Sequence, residues 1–435
     1  MSTASERTIH ALEQVVKDVP VGTDLALVHL LWAMLSGAFL HSRGAVFGAL
    51  QWSGFSPCQI RRSWQALWQG SWSIEQLIES WRAYVLSRTA WQPRRYEGYT
   101  PQSIDVTAFW RPRLQGWTGK FFYRLANRAI KGVGLALIAQ VGNLGGQRIP
   151  LLKHMICAGQ GLSDQALKQQ ALQWASDHLG EHEVAIHDAG ASVADMQQAH
   201  MKRYVVRTDL NCSARRNHLP ARKPQGRPPE YGQKVRPLPR HWKNRTIAAT
   251  KPDFTTSFPF DGRTVGVKGW RNLVRIDQKV AVDNETFAIL VFNDPLYCKP
   301  MVLSTNIVAQ PQSIFCLYLD RWPIEQIPLA AKQMLGLHRQ FVSAEASCLR
   351  LPALALLAGN ILTFLAAALP AVPTGFWDRQ PKKTPGRLRR LLAQTDFSKE
   401  YACVGQLRKK ESVTDHLPKG VQAHRRHKKA ILLPI

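Results

Sequence analysis

The stretch that decides both the fold and the chemistry is Tyr318 to Lys332, which reads Y-L-D-R-W-P-I-E-Q-I-P-L-A-A-K. Its reactive side chains recur at steps of three, four and seven residues, at Tyr318, Arg321, Glu325 and Lys332. Such steps return to one face of a helix, which would then carry a carboxylate, two cations and a phenol. A carboxylate can hold a metal, and arginine and lysine can hold phosphate. The pattern predicts an enzyme that cuts or joins phosphodiesters.

Two alternatives within this stretch stay open. An Arg-Glu pair at i, i+4 is also common on solvated helices that have no active site. Pro323 fits the first turn of a helix, in which case Tyr318 lies before the helix. Pro328 predicts a kink between Glu325 and Lys332, so the place of Lys332 on the shared face is open.

The charge of the chain points to a polyanionic partner. Its 435 residues carry 57 Lys and Arg against 30 Asp and Glu, a net charge of +27. This excess predicts binding to nucleic acid, and an anionic membrane surface is the alternative. The length is sufficient for two to four domains.

The cysteines and the N-terminus indicate a reducing compartment. Seven cysteines are scattered without a C-x-x-C pair, which argues against a disulfide framework and a structural zinc site. The first residues, M-S-T-A-S-E-R-T, lack the layout of a signal peptide. We predict a cytoplasmic protein.

One segment satisfies the composition of a membrane span. Residues 351–377 carry no charged side chain and are long enough to cross a bilayer. Either this segment anchors the protein in a membrane, or it is a buried helix packed behind the catalytic element. We favour the buried helix and predict no membrane association.

Residues 1 to about 95 read as helices, and one pair resembles a helix-turn-helix. In residues 49–67, Gly54 marks a turn, Ser56 reads as an N-cap and Pro57 as the first helical residue. The second helix carries Arg61 and Arg62, which could enter a major groove. Two packed helices with exposed arginines are the alternative.

From about residue 96 the period changes to that of strands. Asp105 lies inside the first strand, Asp188 ends the fourth, and His187 reads as a strand-end histidine. The predicted order is three strands, helix, strand, helix, strand, over residues 103–110, 132–142, 148–152, 163–180, 183–188, 191–201 and 204–207. This is the order of a ribonuclease-H-like core that lacks only its final helix.

That final helix is delayed by an insertion of about a hundred residues, from Thr208 to about Gln310. Its first part is Pro-rich and basic, and its second part reads as strands at 264–275, 287–292 and 301–307. Trp242 or Trp270 could stack on an unpaired base, although ordinary strand or loop aromatics are the simpler interpretation.

The spacing Y-x2-R-x3-E-x6-K, with R-W-P-I-E followed by K-Q-M-L-G-L, resembles the signature of a class of bacterial insertion-sequence transposases with a D-D-E catalytic triad. The resemblance implies that Tyr318, Arg321 and Lys332 handle phosphates of the DNA end. It also implies cut-and-paste transposition of element ends into target DNA through a hairpin intermediate, by a synaptic homodimer.

The three candidate acids are Asp105, Asp188 and Glu325. In a ribonuclease-H-like sheet the first and fourth strands are adjacent and the late helix packs beside them, so these acids would meet. Converging carboxylates suit two Mg²⁺ ions, with Mn²⁺ as a substitute, and two metals can activate a hydroxyl and stabilise the leaving oxygen.

We therefore predict an α/β protein in four parts. A helical N-terminal DNA-binding domain covers 1–95, and the ribonuclease-H-like catalytic core covers 96–208 plus 311–375. A basic, then β-rich insertion domain covers 209–310, and a basic tail that contacts DNA or is disordered covers 376–435. The rivals are a catalytically inactive, transposase-derived DNA-binding protein and a basic protein anchored in a membrane near residues 351–371.

Overall fold

The computed structural model describes residues 3–222, 227–243 and 245–407, and it shows a mixed α/β fold. The helices are α1 (Ala4–Val15), α2 (Thr23–Leu35), α3 (Ala38–His41), α4 (Val46–Trp52), α5 (Pro57–Gln69), α6 (Ile74–Leu86), α7 (Asp164–His178), α8 (Val193–Gln198), α9 (Pro311–Leu319), α10 (Gln326–Leu329), α11 (Glu345–Ala368), α12 (Pro385–Ala393) and α13 (Phe397–Val404). The strands are β1 (Gln92–Pro93), β2 (Thr100–Trp110), β3 (Lys120–Tyr123), β4 (Arg128–Leu144), β5 (Gln147–Cys157), β6 (Glu183–His187), β7 (Tyr204–Arg207), β8 (Ala214–Arg216), β9 (Lys234–Val235), β10 (Arg240–Trp242), β11 (Arg245–Ile247), β12 (Phe254–Phe260), β13 (Arg263–Arg275), β14 (Phe287–Asn293) and β15 (Met301–Thr305).

One large mixed sheet runs through the described part of the chain. Its central order is β4-β2-β6-β7-β15-β14-β13, and β5 pairs with β4 at one end. Strands β2, β6 and β7 are mutually parallel, whereas β4 is antiparallel to both β2 and β5. Because β7 pairs with β15, the insertion continues the same sheet. The strands predicted at 103–110, 132–142, 148–152, 183–188 and 204–207 are confirmed as β2, β4, β5, β6 and β7.

Strand β4 divides the interior into two cores. Successive side chains of a strand point to opposite faces. Leu135 and Leu137 therefore lie in one cluster with α2, α6 and α11, while Ala136 and Ile138 lie in a second cluster with α7. Burial on both faces explains why β4 reads as a continuous apolar run.

Helix α11 is the apolar segment that could be mistaken for a membrane span. By length and composition it could cross a bilayer, but 94% of its most apolar window is buried in the protein. Asn360 on this helix accepts hydrogen bonds from Trp81 Nε1 at 3.0 Å and from the Leu152 backbone N–H at 3.1 Å. It also donates to the Pro150 carbonyl. The helix therefore lies in the interior, as the buried alternative predicts.

The region predicted as a basic tail is folded up to residue 407. In α12 and α13, Leu388, Leu392 and Phe397 are buried in the same cluster as α2 and α11. The prediction of a tail over 376–407 is therefore wrong, because apolar residues at helical spacing lie between the arginines. Residues 408–435 of the predicted tail are outside the described part of the chain.

The stretch from Tyr318 to Lys332 is not one regular helix, in line with the alternatives left open at Pro323 and Pro328: Tyr318 lies on α9, before the turn that carries Glu325. After α9 ends, a 3₁₀ turn covers Trp322–Glu325, α10 follows, and a π-helical turn covers Ala330–Met334. Prolines lack the N–H that an α-helix needs, so Pro323 and Pro328 break the regular hydrogen bonding. The backbone stays right-handed, which keeps the segment compact.

We predict that Asn360→Leu strongly destabilises the fold. The change leaves two buried donors and one buried acceptor without partners, which costs at least about 3 kcal/mol in total. Urea unfolding measures the loss. Thr363→Val is the matched control, because Thr363 bonds only to the Gly359 carbonyl of its own helix; it should cost less than about 1 kcal/mol. Equal losses in the two variants would contradict the bridging role of Asn360.

Candidate active site

Two of the candidate acids lie on neighbouring parallel strands. The pairing of β2 with β6 extends to Ser103 and Ile186, which are 83 residues apart (186 − 103). The same offset carried two residues further sets Asp105 beside Asp188, and adjacent strands are about 4.8 Å apart. The sheet therefore brings these two carboxylates together from distant parts of the sequence.

The electrostatics of Asp105 tie the third acid to the same place. Burial, together with the negative charges of Asp188 and Glu325, raises the pKa of Asp105 to about 6. Arg321 and His187 act in the opposite direction. The 3₁₀ turn that carries Glu325 also packs against β2, and the Ser103 hydroxyl donates to the Asp320 carbonyl just before this turn. The three candidate acids therefore come from β2 and from two elements in contact with it, the end of β6 and the 3₁₀ turn.

Asp188 is held as a carboxylate by its own loop. It follows β6, whose last residue is His187, as predicted. Its Oδ1 lies 3.1 Å from His187 Nδ1 and accepts a hydrogen bond from the Gly190 backbone N–H at 2.8 Å. The hydrogen bond from His187 holds the pKa of Asp188 well below its usual range, although burial opposes this shift. Asp188 is therefore ionised at neutral pH.

Glu325 is engaged by an arginine of the same segment. The Arg321 Nη2 donates to Glu325 Oε1 at 2.6 Å, and the glutamate side chain is 52% exposed. Arg321 itself is buried. A single residue therefore neutralises Glu325 from one side and leaves the other side of its carboxylate open to solvent.

Tyr318 lies deeper than the acids. Burial raises the pKa of its phenol, and the guanidinium groups of Arg321 and Arg207 oppose that shift. Tyr318 and Arg321 are therefore neighbours in the site, as their sequence spacing predicts. Arg207, at the end of β7, is a further cation that the sequence analysis did not identify.

Lys332 reaches the same site from beyond the kink. Its Nζ donates to Thr107 Oγ1 at 2.6 Å and lies 5.1 Å and 4.7 Å from the ring centroids of Phe109 and Trp110. Burial lowers the pKa of Lys332 to about 8, and Asp105 partly opposes this effect. The open question of its position is settled, because Lys332 lies beside the strand that carries Asp105.

Asp320 is a buried residue that the sequence analysis missed. Its side chain is 0% exposed and accepts hydrogen bonds from Arg94 Nε and the Tyr96 hydroxyl, both at 2.8 Å. Arg148 lies 3.6 Å away, and Ser103 donates to the Asp320 carbonyl at 2.9 Å. The sequence feature that could have revealed it is the acid between Tyr318 and Arg321, two residues of the transposase-like spacing. Asp320 fixes the start of the segment that carries Arg321 and Glu325.

The other predicted DNA contacts lie outside this site. Arg61 and Arg62 are exposed on α5, whose N-cap at Ser56 is confirmed by the structure. Trp270 is 1% exposed, and its Nε1 donates to the Lys251 carbonyl, so its ring has no free face for a base. The stacking prediction for Trp270 is therefore wrong. The side chain of Trp242 is outside the described part of the structure.

The acids do not form a finished metal cage. Among the described residues, no group of three or more His, Cys, Asp and Glu side chains converges closely enough to hold an ion. Asp188 bonds to its own loop and Glu325 to Arg321, which accounts for this spread. The donor set nevertheless consists of carboxylate oxygens, which hard divalent cations prefer.

A scan against protein-family models and a search of curated proteins found no match to this chain.

We predict that Asp105→Asn stabilises the protein at pH 7.5. The folded-state pKa of Asp105, about 6, exceeds its ordinary value of 3.8, so its ionisation penalises the fold progressively as pH rises through this interval. Removing the charge should add up to about 3 kcal/mol. The gain should vanish as the pH falls to about 4, as measured by denaturation at both pH values. Asp195→Asn is the control with the opposite sign, because the pKa of Asp195 is lowered through its capping hydrogen bonds.

We also predict that Asp320→Asn destabilises the protein. It leaves the guanidinium of Arg94 beside a neutral partner in a buried site, which costs about 3–5 kcal/mol. Asp261→Asn, which alters an exposed pair with Arg263, should cost less than about 1 kcal/mol. Chemical denaturation measures the free energy of unfolding of both variants. If Asp320→Asn leaves this free energy unchanged, Asp320 does not anchor the segment.

Proposed function

We propose that the protein is a metal-dependent DNA transposase of the D-D-E class. The observation that carries the proposal is the placement of Asp105 on β2, with Asp188 after the neighbouring strand β6 and Glu325 on the 3₁₀ turn that packs against β2. The strand order β5-β4-β2-β6-β7, with only β4 antiparallel to its neighbours β5 and β2, supports a ribonuclease-H-like core. The resemblance of Tyr318 to Lys332 to the transposase signature supports the same class.

In this proposal the three acids hold two Mg²⁺ ions, for which Mn²⁺ can substitute. When bound, the ions supply an activated water and neutralise charge at the phosphodiester. Glu325 would exchange its hydrogen bond to Arg321 for this role, which frees the guanidinium for a phosphate oxygen. Asp188 is ionised at neutral pH, and Asp105, whose pKa is raised to about 6, is mostly ionised there as well.

The cations of the site would position the DNA. Arg321 offers a planar fork to a phosphate, whereas Lys332 offers a point charge beside Asp105. Lys332 is held by Thr107 and two aromatic rings, so its place is fixed before DNA arrives. Tyr318 is buried, and the charge of Arg321 acts on its phenol. Preorganised groups of this kind lose little freedom when the strand binds.

The partners follow from this chemistry and from the net charge of +27. They are double-stranded DNA at the terminal repeats and at the target, and a second copy of the chain in a synaptic dimer. The helical region with Arg61 and Arg62 and the basic insertion would add contacts to phosphates. The protein would act in the bacterial cytoplasm, at the nucleoid.

The alternative is a transposase-derived protein that binds DNA without cutting it. One observation favours it: Asp188 and Glu325 are bonded to protein groups, and the acids do not form a metal cage in the described part of the chain. Cleavage and binding must therefore be measured separately.

The test is strand cleavage of a duplex that contains a terminal repeat found beside the coding sequence, pre-bound to the protein and started with Mg²⁺. Glu325→Gln, Asp105→Asn and Asp188→Asn should each slow nicking by at least about 100-fold. Loss of a residue that only orients a metal ligand lowers activity about 10–100-fold, and loss of a ligand itself should lower it more. Binding should be retained. Glu79→Gln, an exposed glutamate on α6, is the matched control.

Each outcome is informative. Nicking that needs the metal and the three acids supports the transposase proposal. Binding without nicking by any variant or by the wild type favours the inactive DNA-binding protein. If Glu325→Gln cuts as fast as the wild type, Glu325 is not a catalytic residue.

A further inference from the structure

A hairpin beside the proposed active site has an exposed apolar tip. Strands β3 and β4 pair from Lys120 with Lys131 to Tyr123 with Arg128, and a short 3₁₀ turn joins them. At this end Leu125 is 86% exposed and Phe122 is 54% exposed. At this exposure, packing against other described residues of the chain does not explain why a leucine occupies the hairpin tip.

The charge around this tip is of one sign. Between Asp105 and Asp164 the sequence contains eight Lys or Arg residues and no Asp or Glu. Arg124 and Arg128 flank Leu125 and are exposed. An apolar side chain between cations is complementary to a polyanion with an apolar interior, and the base stack of duplex DNA has that character.

The hairpin is built rigidly onto the strand of the candidate site. Trp110, the last residue of β2, donates from Nε1 to the Phe121 carbonyl at 3.3 Å, and its ring lies 4.5 Å from that of Tyr123. The same Trp110 ring packs against Lys332. Trp110 is five residues from Asp105, about 17 Å along a strand. The hairpin therefore continues from the end of the strand that carries Asp105.

We propose that the tip of this hairpin, Arg124 to Arg128, is a DNA wedge. Leu125 inserts between base pairs of duplex DNA from the minor groove, while Arg124 and Arg128 bind the adjacent phosphates. The inserted side chain partly unstacks and unwinds the duplex beside the acids. This inference rests on the proposed function for its substrate, and it assigns a new DNA-deforming element outside the D-D-E site.

The test uses a closed circular plasmid relaxed by a metal-independent topoisomerase in EDTA, with the full chain present. The wild type should shift the linking number of the plasmid, because an inserted side chain unwinds DNA. Leu125→Ala should lose more than half of this shift. Leu296→Ala, at another exposed leucine, should keep it. An unchanged shift in Leu125→Ala overturns the wedge.

The flanking arginines are tested by the salt dependence of binding to a random-sequence duplex. Arg124→Ala and Arg128→Ala should each reduce the slope of log affinity against log salt by roughly 0.9, the value of one phosphate contact. Arg124→Lys should retain the slope. Unchanged slopes in both alanine variants argue against phosphate binding at the tip.

Two further outcomes distinguish a DNA wedge from a contact between protein copies and from the cleavage reaction. If Leu125→Ala alters the sedimentation of the DNA-free protein, the tip is an interface between copies and the wedge proposal fails. Because the plasmid test contains no metal, a Leu125-dependent shift supports the wedge even where the cleavage proposal fails. Cleavage without such a shift overturns the wedge alone.

Discussion

The arrangement of the site depends on one face of β2. Side chains two residues apart on a strand share a face, and Ser103, Asp105 and Thr107 follow this rule. Ser103 holds the Asp320 carbonyl, Thr107 holds Lys332, and Asp105 lies between these two contacts. The segment that carries Arg321 and Glu325 is thus attached to the central strand at both ends. Its irregular helical path is tolerated because these attachments, rather than its own hydrogen bonds, set its position.

The charges of the site are costly in the isolated chain. Burial raises the pKa of Asp105 and lowers the pKa of Lys332, so each group resists the charged form that binding to metal or phosphate would need. Buried groups of this kind are common at functional sites, where stability is lost for the sake of chemistry. Burial raises the pKa of Asp320 as well, but Arg94 and a hydrogen bond from Tyr96 oppose that shift.

The strands of the sheet could be predicted from the sequence, because alternating or continuous apolar residues follow from burial of one or both faces of a strand. The acids could be placed because adjacent parallel strands fix their register. The spacing from Tyr318 to Lys332 predicts a shared helix face but cannot fix the path of the backbone, because Pro323 and Pro328 lack the N–H groups of a regular helix. Asp320 was missed because a buried acid has no periodic signature, and its partner Arg94 lies 226 residues away.

Two other errors have the same physical origin. The sequence around Trp270 does not reveal that its ring is covered, because burial of a strand residue depends on which layers cover the sheet. The helices at Leu388 and Phe397 were hidden by the arginines and lysines around them. In both cases the decisive contacts are with chain segments far away in sequence.

The packing of the first helices against residues 360–406 has a consequence for biosynthesis. The N-terminal helices do not form an independent unit, since Trp81 bonds to Asn360, Ser5 lies 3.0 Å from Thr395, and Glu13 accepts from the Gln406 N–H. Contacts between such distant residues close late and slow the folding of a chain. Synthesis must therefore proceed past residue 406 before the first helices have all of these partners. Until then their apolar faces remain for chaperones to shield.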